Sequence, residues 1–168
     1  MSSTLTTARL RLVPLTLDCT TSPDDVAAIA RATDALVPDP WLLEHYDQEM
    51  LDYVRGVLEK DPASEYVPRY LVTNDDPSVI GMVGCNAPDS AGRVIIGYSV
   101  LPRYQRRGFA SEALLGIIGW LRRHEGVRII AGDTYPRLTA SIRTMEHCGL
   151  VFAGPGDGEG VIRYELPV

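Results

Sequence analysis

Residues 94–121 have the sequence VIIGYSVLPRYQRRGFASEALLGIIGWL, and the rest of the chain is organised around them. Residues 94–100 form a short, mostly apolar run that stops before Pro102, which cannot donate to a ladder, so they predict a strand. Residues 111–123 predict a helix, because their apolar side chains recur at helical spacing. These apolar positions are Leu114, Leu115, Ile118 and Leu121. The segment between is a basic turn with one glycine that opens directly into the helix.

This turn is a candidate anion site. The first N–H groups of a helix have no partner inside it, and the helix dipole adds partial positive charge there. Gly108 can adopt a positive φ and allows a ligand to approach the backbone closely, while Ala110 and Ser111 add little bulk. The pattern predicts a pocket for a diphosphate-like anion. The alternative is an ordinary strand–helix turn whose arginines are solvated.

The run GYSVLPRYQRRGFASEAL resembles the acetyl-coenzyme-A motif of the GNAT N-acetyltransferases, and its setting is most similar to the RimJ/RimL-type branch. The family signature, Gln/Arg-x-x-Gly-x-Gly/Ala, is matched at Gln105, Gly108 and Ala110. The resemblance implies that the anion is the pyrophosphate of acetyl-CoA, and that the backbone N–H of Val100 holds the oxyanion of the reaction. The cofactor-binding residues implied in this way are Val100, Gln105, Arg106, Arg107, Gly108, Phe109, Ala110 and Ser111.

Length and composition restrict the class of protein. A chain of 168 residues fits one domain, residues 1–168, with a substantial core. A net charge of −6 disfavours a broad nucleic-acid surface. The three cysteines lack metal-type spacing, so we expect reduced thiols and no metal site. No run has the length of a signal peptide or a membrane span, so we expect a cytoplasmic protein without a membrane partner.

The rest of the chain predicts an α/β (α+β) fold with the order β-α-α-β-β-β-α-β-α-β-β, in which a mixed, mostly antiparallel sheet is flanked by helices. Ser22 followed by Pro23 predicts an N-cap and the first helical position, and Gly126 predicts a helix C-cap. The remaining strands are expected at 9–15, 66–73, 79–86, 127–134, 151–152 and 161–166, and the other helices at 42–60 and 138–148.

The second half of the resemblance concerns the chemistry. Pro136, Ser141 and Gly149 match the family, and its role for Ser141 is to hydrogen-bond or protonate the departing thiolate. Capping of the helix N-terminus is the alternative for this serine. The chain departs from the family where an Asn, a Tyr, a Glu and a Phe are expected. Those positions hold Leu138, Met145, Ile95 and Leu150.

An ammonium must lose its proton before its nitrogen attacks a thioester, so a base or an ordered water is needed. Asp133, or else Glu65, is the candidate, although either carboxylate could be solvated or structural. Trp41, His45 and Tyr46 are candidates for a substrate pocket, with core packing as the favoured alternative.

These residues predict an acetyl-CoA-dependent N-acetyltransferase that moves an acetyl group directly to a primary amine. The acceptor is a protein N-terminus or a small molecule, with polyamines and antibiotic amines both open, and a homodimer is open as well. The missing family residues also allow a coenzyme-A-binding regulatory protein without catalysis. A nucleic-acid module built on the arginines of the turn is a distant third hypothesis.

Overall fold

A single eight-stranded sheet runs through the computed structural model, which describes residues 3–168. In chain order the strands are β1 Leu5–Thr6, β2 Leu10–Pro14, β3 Arg69–Thr73, β4 Val79–Cys85, β5 Arg93–Val100, β6 Ile129–Thr134, β7 Val151–Pro155 and β8 Ile162–Pro167. They lie in the order β1-β2-β3-β4-β5-β6-β8-β7, and all neighbours are antiparallel except β5 and β6. The predicted fold class, a mixed and mostly antiparallel sheet with helices, is confirmed.

Within the described residues, four α-helices cover the two faces of this sheet. They are α1 Val26–Thr33, α2 Gln48–Lys60, α3 Phe109–Leu121 and α4 Thr139–His147. Because side chains alternate along a strand, Leu12 of β2 joins the core under α3 and α4, while the adjacent Val13 joins the core under α1 and α2. None of these helices is long and apolar enough to cross a bilayer.

Two helices begin later than the sequence predicts, because aspartates cap them. The helix expected from residue 42 begins at Gln48, where the Asp47 carboxylate accepts the N–H of Met50 at 2.9 Å. His45 has a φ of +62°, which a right-handed helix does not allow. The predicted cap at Ser22 is likewise wrong, since Asp25 is the N-cap of α1 and accepts the N–H of Ala28 at 3.0 Å.

Three further differences are small. The short β1 pairs with β2 but has too few residues to show a pattern in the sequence. The helix predicted for 111–123 lies at Phe109–Leu121, so it begins directly after Gly108. Gly126 does not cap that helix, because α3 ends at Leu121 and Gly126, with a φ of +90°, forms part of the turn that follows. Residues 1 and 2 of the predicted domain lie outside the described residues.

The parallel pair β5 and β6 separates halfway along its length. Pairing runs from Arg93 with Ile129 to Ile96 with Gly132, after which β5 stays with β4 and β6 stays with β8. Leu101 donates its N–H to Ile80 of β4 at 2.8 Å, so by alternation Tyr98 and Val100 direct their N–H groups away from β4 and into the gap. The sheet therefore has an internal opening, and backbone N–H groups of β5 that pair with no neighbouring strand lie along its edge.

Candidate functional site

A cleft of about 1250 Å³ occupies this opening and reaches both faces of the sheet. On one side it is lined by residues of α2 and the loop before it, such as Leu43 and Met50. On the other side it is lined by the turn before α3 and by the first residues of α3 and α4, including Gly108 and Ser141. A ligand can enter from one face and meet a second ligand from the other face at the end of β5.

The two helices that begin at the cleft lack side-chain caps. The N-caps of α3 and α4 are Gly108 and Leu138, and neither side chain accepts a hydrogen bond from its helix. By contrast, α1 and α2 are capped by Asp25 and Asp47, and neither of these aspartates lines the cleft. The free N–H groups and positive dipole ends of α3 and α4 thus point to one space, which favours an anion there. Gly108 has a φ of +81°, so its predicted backbone role fits the observed turn.

The side chains of the turn divide between two cavities. Gln105 donates from Nε2 to the carbonyl of Val100 at 2.8 Å and so fixes the turn to the end of β5. Arg106 lines the cleft, but Arg107 lines a separate cavity, and its guanidinium lies 5.7 Å from the ring centroid of the buried Phe109. The predicted contact of the Arg107 side chain with the anion is not supported by this position. A surface arginine, the alternative reading of the turn, fits it better.

The N-terminal segment is tied to the same turn from outside the cleft. The Glu112 carboxylate of α3 accepts hydrogen bonds from the Thr7 hydroxyl at 2.6 Å and from the backbone N–H and Nε of Arg9 at 2.7 and 2.6 Å. Arg9 also donates to the carbonyl of Arg107 at 3.0 Å. Burial raises the pKa of Glu112, but these hydrogen bonds outweigh it and hold that pKa below the ordinary value. The turn is therefore fixed on both sides.

Ser141 belongs to a cluster of hydroxyl groups and does not cap α4, which removes the alternative role given to it above. The hydroxyl of Tyr98 donates to the Ser141 carbonyl at 3.1 Å and lies 3.3 Å from the Ser141 hydroxyl. Thr144, one turn further along α4, donates to the carbonyl of Ala140 at 2.9 Å. Burial raises the pKa of Tyr98, although its hydrogen bonds with Ser141 and Thr144 act in the opposite direction. Tyr98 was not among the predicted site residues.

The side chains at the positions of the family acid and base cannot donate or accept a proton. Met145 is buried, and its sulfur lies against Gly132, where a Cβ would come within 2.5 Å of it. Ile95 donates its N–H to the side-chain oxygen of Asn86 at 2.6 Å and presents an aliphatic side chain to the cleft. Neither side chain has a proton to exchange, as the sequence indicated.

The geometry argues against both predicted bases. Asp133 lines the cleft, but its two carboxylate oxygens accept hydrogen bonds from Nε and Nη2 of Arg163 at 2.7 and 2.8 Å. These hydrogen bonds raise the pKa of Arg163, and the bidentate guanidinium occupies both oxygens of the Asp133 carboxylate. Glu65 does not line the cleft and lies 3.1 Å from Nε2 of His124.

The side of the cleft formed by α2 and the loop before it, where we expect the acceptor amine, is mainly apolar and aromatic. Tyr46 lines it while sharing a 2.9 Å hydrogen bond with the buried Tyr70, and burial raises the pKa of Tyr46 to about 12. His45 also lines the cleft, whereas Trp41 does not and packs edge-on against Tyr46 at 5.5 Å. Of the three pocket candidates, Trp41 thus takes the packing role, and Tyr46 serves both roles.

Comparison with known proteins identifies the family. The family profile described as "Acetyltransferase (GNAT) domain" matches residues 9–151. The chain is 27% identical over 106 residues to YjdG, an uncharacterized N-acetyltransferase of Bacillus subtilis, and the match covers 61% of this chain and 62% of that protein's length.

Two solved structures share the fold at low sequence identity. The ribosomal-protein-S5-alanine acetyltransferase of Vibrio fischeri superposes with a TM-score of 0.69 and 16% identity, over 99% of this chain and 97% of that one. RimL, a ribosomal L7/L12 alpha-N-protein acetyltransferase in complex with coenzyme A, gives a TM-score of 0.68 and 16% identity, over 99% and 98% of the two chains. The family profile covers most of the chain, and the two structures share its fold. The chain belongs to the GNAT family of acetyltransferases, enzymes that use acetyl-CoA.

Proposed function

We propose that the chain acts as a single-domain N-acetyltransferase that transfers the acetyl group of acetyl-CoA directly to a primary amine. The observation that carries this proposal is the meeting of two uncapped helix N-termini with the unpaired edge of β5 in one cleft. The cleft is accessible from both faces of the sheet, as a reaction between two bound substrates requires.

Each part of the cleft has a role in the proposed reaction. The N–H groups at the start of α3, with Gly108 and the Arg106 side chain, bind the pyrophosphate. The N–H of Val100 stabilises the negative charge that develops on the carbonyl oxygen. Ser141 donates to the sulfur as the carbon–sulfur bond breaks. Gln105 supports binding by holding the turn in place. Three residues of the first turn of α3 also support it, namely Phe109, Ala110 and Ser111.

Direct transfer follows from the state of the cysteines near the cleft. Cys85 lines the cleft, and burial raises its pKa to about 12. Cys148 is the buried C-cap residue of α4, and burial raises its pKa to about 11. A thiol is nucleophilic as its thiolate, so neither group is suited to carry a covalent acetyl intermediate at neutral pH.

The proton of the acceptor ammonium leaves through water. Within residues 3–168, the carboxylates that line the cleft are Asp133 and Glu44. Asp133 is paired with Arg163, and the exposed Glu44 lies 3.5 Å from Nε2 of His45. The enzyme then accelerates the reaction mainly by positioning the amine and by stabilising charge at the carbonyl oxygen and sulfur.

The lining also favours a class of acceptor. A polyamine needs several carboxylates along its length, whereas the acceptor side of this cleft is formed by side chains such as Leu43, Tyr46, Met50 and Tyr53. We therefore propose an acceptor with a single amine beside apolar groups, either a small molecule or a protein N-terminus. The relatives that acetylate ribosomal proteins support the second source.

Two measurements test the proposal. Calorimetry with coenzyme A is expected to show binding, and a panel of monoamines, short peptides and spermidine is expected to give amine-dependent thiol release with a monoamine or peptide. Binding without release for any amine supports the non-catalytic regulatory protein instead. Light scattering in the same buffer tests the homodimer, which stays a prediction.

A further inference from the structure

We infer that Tyr98 is a positioning residue that directs the hydroxyl of Ser141 toward the departing sulfur. This inference rests on the proposed function, which puts that sulfur next to Ser141. Tyr98 reaches α4 from β5, the strand whose separation from β6 creates the cleft. Tyr98 therefore connects β5, whose edge binds the acetyl group in the proposed reaction, with α4, which carries the Ser141 hydroxyl.

The donors and acceptors allow two arrangements of these protons. The Ser141 carbonyl can only accept, so the 3.1 Å contact uses the single proton of the Tyr98 hydroxyl. In that arrangement the Tyr98 oxygen is free to accept the Ser141 proton across 3.3 Å. When negative charge develops on the sulfur, the Ser141 proton turns toward it and the Tyr98 proton turns to the Ser141 oxygen. A chain of two hydroxyl groups then stabilises the anion, and each bond polarises the next.

The balance of the reaction requires no acid from this pair. The carbon–nitrogen bond forms, and the carbon–sulfur bond breaks with its electron pair on sulfur. Two protons leave the amine nitrogen for water, one before the attack and one as the amide forms. Burial keeps Tyr98 protonated, which makes it a hydrogen-bond donor and a poor source of a transferred proton. The sulfur is stabilised as a thiolate and gains its proton from solvent afterwards.

The hydrogen bonds of this pair involve no charged side chain in the described part of the chain. The charged or titratable side chains that line the cleft within residues 3–168, apart from its tyrosines and Cys85, are Glu44, His45, Arg106, Asp133 and Arg137. In the described part of the chain none of them is hydrogen-bonded to Tyr98 or Ser141, and the nearby Cys148 is held in its thiol form by burial. The position of the family tyrosine is occupied by the buried Met145, so the strand supplies the hydroxyl that the helix lacks.

The test uses coenzyme A itself and needs no acceptor. The thiolate absorbance of bound coenzyme A is titrated against pH, with bound desulfo-coenzyme A as the reference. In the wild type the thiol pKa of the bound ligand is expected to lie below that of free coenzyme A. Both Tyr98→Phe and Ser141→Ala are expected to raise it, and the double variant is expected to match Ser141→Ala, since Tyr98 acts through Ser141. Tyr66→Phe, which changes a half-buried tyrosine outside the cleft, serves as the control and is expected to match the wild type.

Turnover gives a second readout once an acceptor is known. Tyr98→Phe is expected to lower kcat by about ten-fold with KM nearly unchanged, because the hydrogen bond strengthens only as charge develops. If Tyr98→Phe does not fold, a fluorinated tyrosine at the same position keeps the shape, strengthens the donor and is expected to lower the thiol pKa further.

The outcomes separate the two proposals. A wild-type protein that does not bind coenzyme A overturns the proposed function. Binding with the same thiol titration in the wild type and Tyr98→Phe overturns the inference alone, and so does a double variant whose effect is the sum of the two single effects.

Discussion

Replacing Gly108 by aspartate tests the anion site most directly. The residue has a φ of +81°, so a side chain there strains the backbone, and a Cβ would lie 3.3 Å from Nη2 of Arg9, so the end of the Arg9 side chain must shift slightly. A left-handed conformation costs an L-residue roughly 1–2 kcal/mol. Asp tolerates it better than most residues, so the variant is expected to fold.

The larger effect is electrostatic. A carboxylate at this position lies about 5 Å from a phosphate bound at the start of α3, and two unit charges at that distance repel by about 3 kcal/mol at an effective dielectric of about 20. Solvent and the nearby Arg9 offset part of this repulsion, so we expect about 1.5–3 kcal/mol, or coenzyme A binding weaker by about ten- to 100-fold. The new carboxylate also competes for the N–H groups that the phosphate would use.

Two matched variants separate charge from strain. Gly108→Asn has the same shape without the charge and is expected to bind coenzyme A within about five-fold of the wild type, since Asn also tolerates positive φ. Gly126→Asp carries the same charge at a φ of +90°, with nothing within 4 Å of its Cβ and outside the cleft, and is expected to leave the affinity unchanged. Calorimetry measures the affinity, and thermal unfolding confirms that each variant is folded. A folded Gly108→Asp protein with wild-type affinity would refute the site.

Three further variants test the other roles. Ser141→Ala is expected to lower kcat by about ten- to several hundred-fold, while the melting temperature changes little because Leu138 is the N-cap of α4; wild-type turnover removes the serine from the mechanism. Asp133→Asn breaks the bidentate pair with Arg163 and is expected to cost about 1–3 kcal/mol in chemical denaturation. The pH–rate profile of this variant is expected to keep its acidic limb. Loss of that limb would support Asp133 as the general base. The lowered pKa of Glu112 means that its carboxylate stabilises the fold at neutral pH and that this contribution is lost as the pH falls through that pKa. Glu112→Gln is therefore expected to lower the denaturation midpoint at neutral pH and to flatten its acid dependence, and an unchanged dependence would contradict the assignment.

The fold was predictable where local signals act alone. The run from Val94 to Val100 and the helix after Gly108 follow from periodicity, Pro102 and one glycine. Helix starts were less accurate, because several residues compete to cap. Ser22 and Asp25 both suit the N-cap position, but the Ser22 hydroxyl accepts the N–H of Asp24 before the helix and Asp25 caps α1.

The site was predictable in its backbone and not in its side chains. A glycine turn before a helix is local, so the turn from Gln105 to Ser111 could be placed from the sequence, and the anion proposed there stays a prediction. Asp133 was misjudged because its partner, Arg163, lies 30 residues away in sequence. Tyr98 was missed for the same reason, since its contact with Ser141 joins residues 43 positions apart. The first pairing depends on the register of β6 with β8, and the second depends on how α4 packs on the sheet. Periodicity contains neither.

The position of the gap between β5 and β6 also affects the tendency of this sheet to aggregate. Strand edges with free N–H and C=O groups recruit strands of other chains, and proteins commonly protect them with charges, bulges or short outer strands. Here the free N–H groups of Tyr98 and Val100 are in the interior of the sheet, between β4 and β6, where a foreign strand would have to enter sideways between two neighbours. The enzyme thus keeps hydrogen-bonding groups ready for a small ligand without offering a template for aggregation.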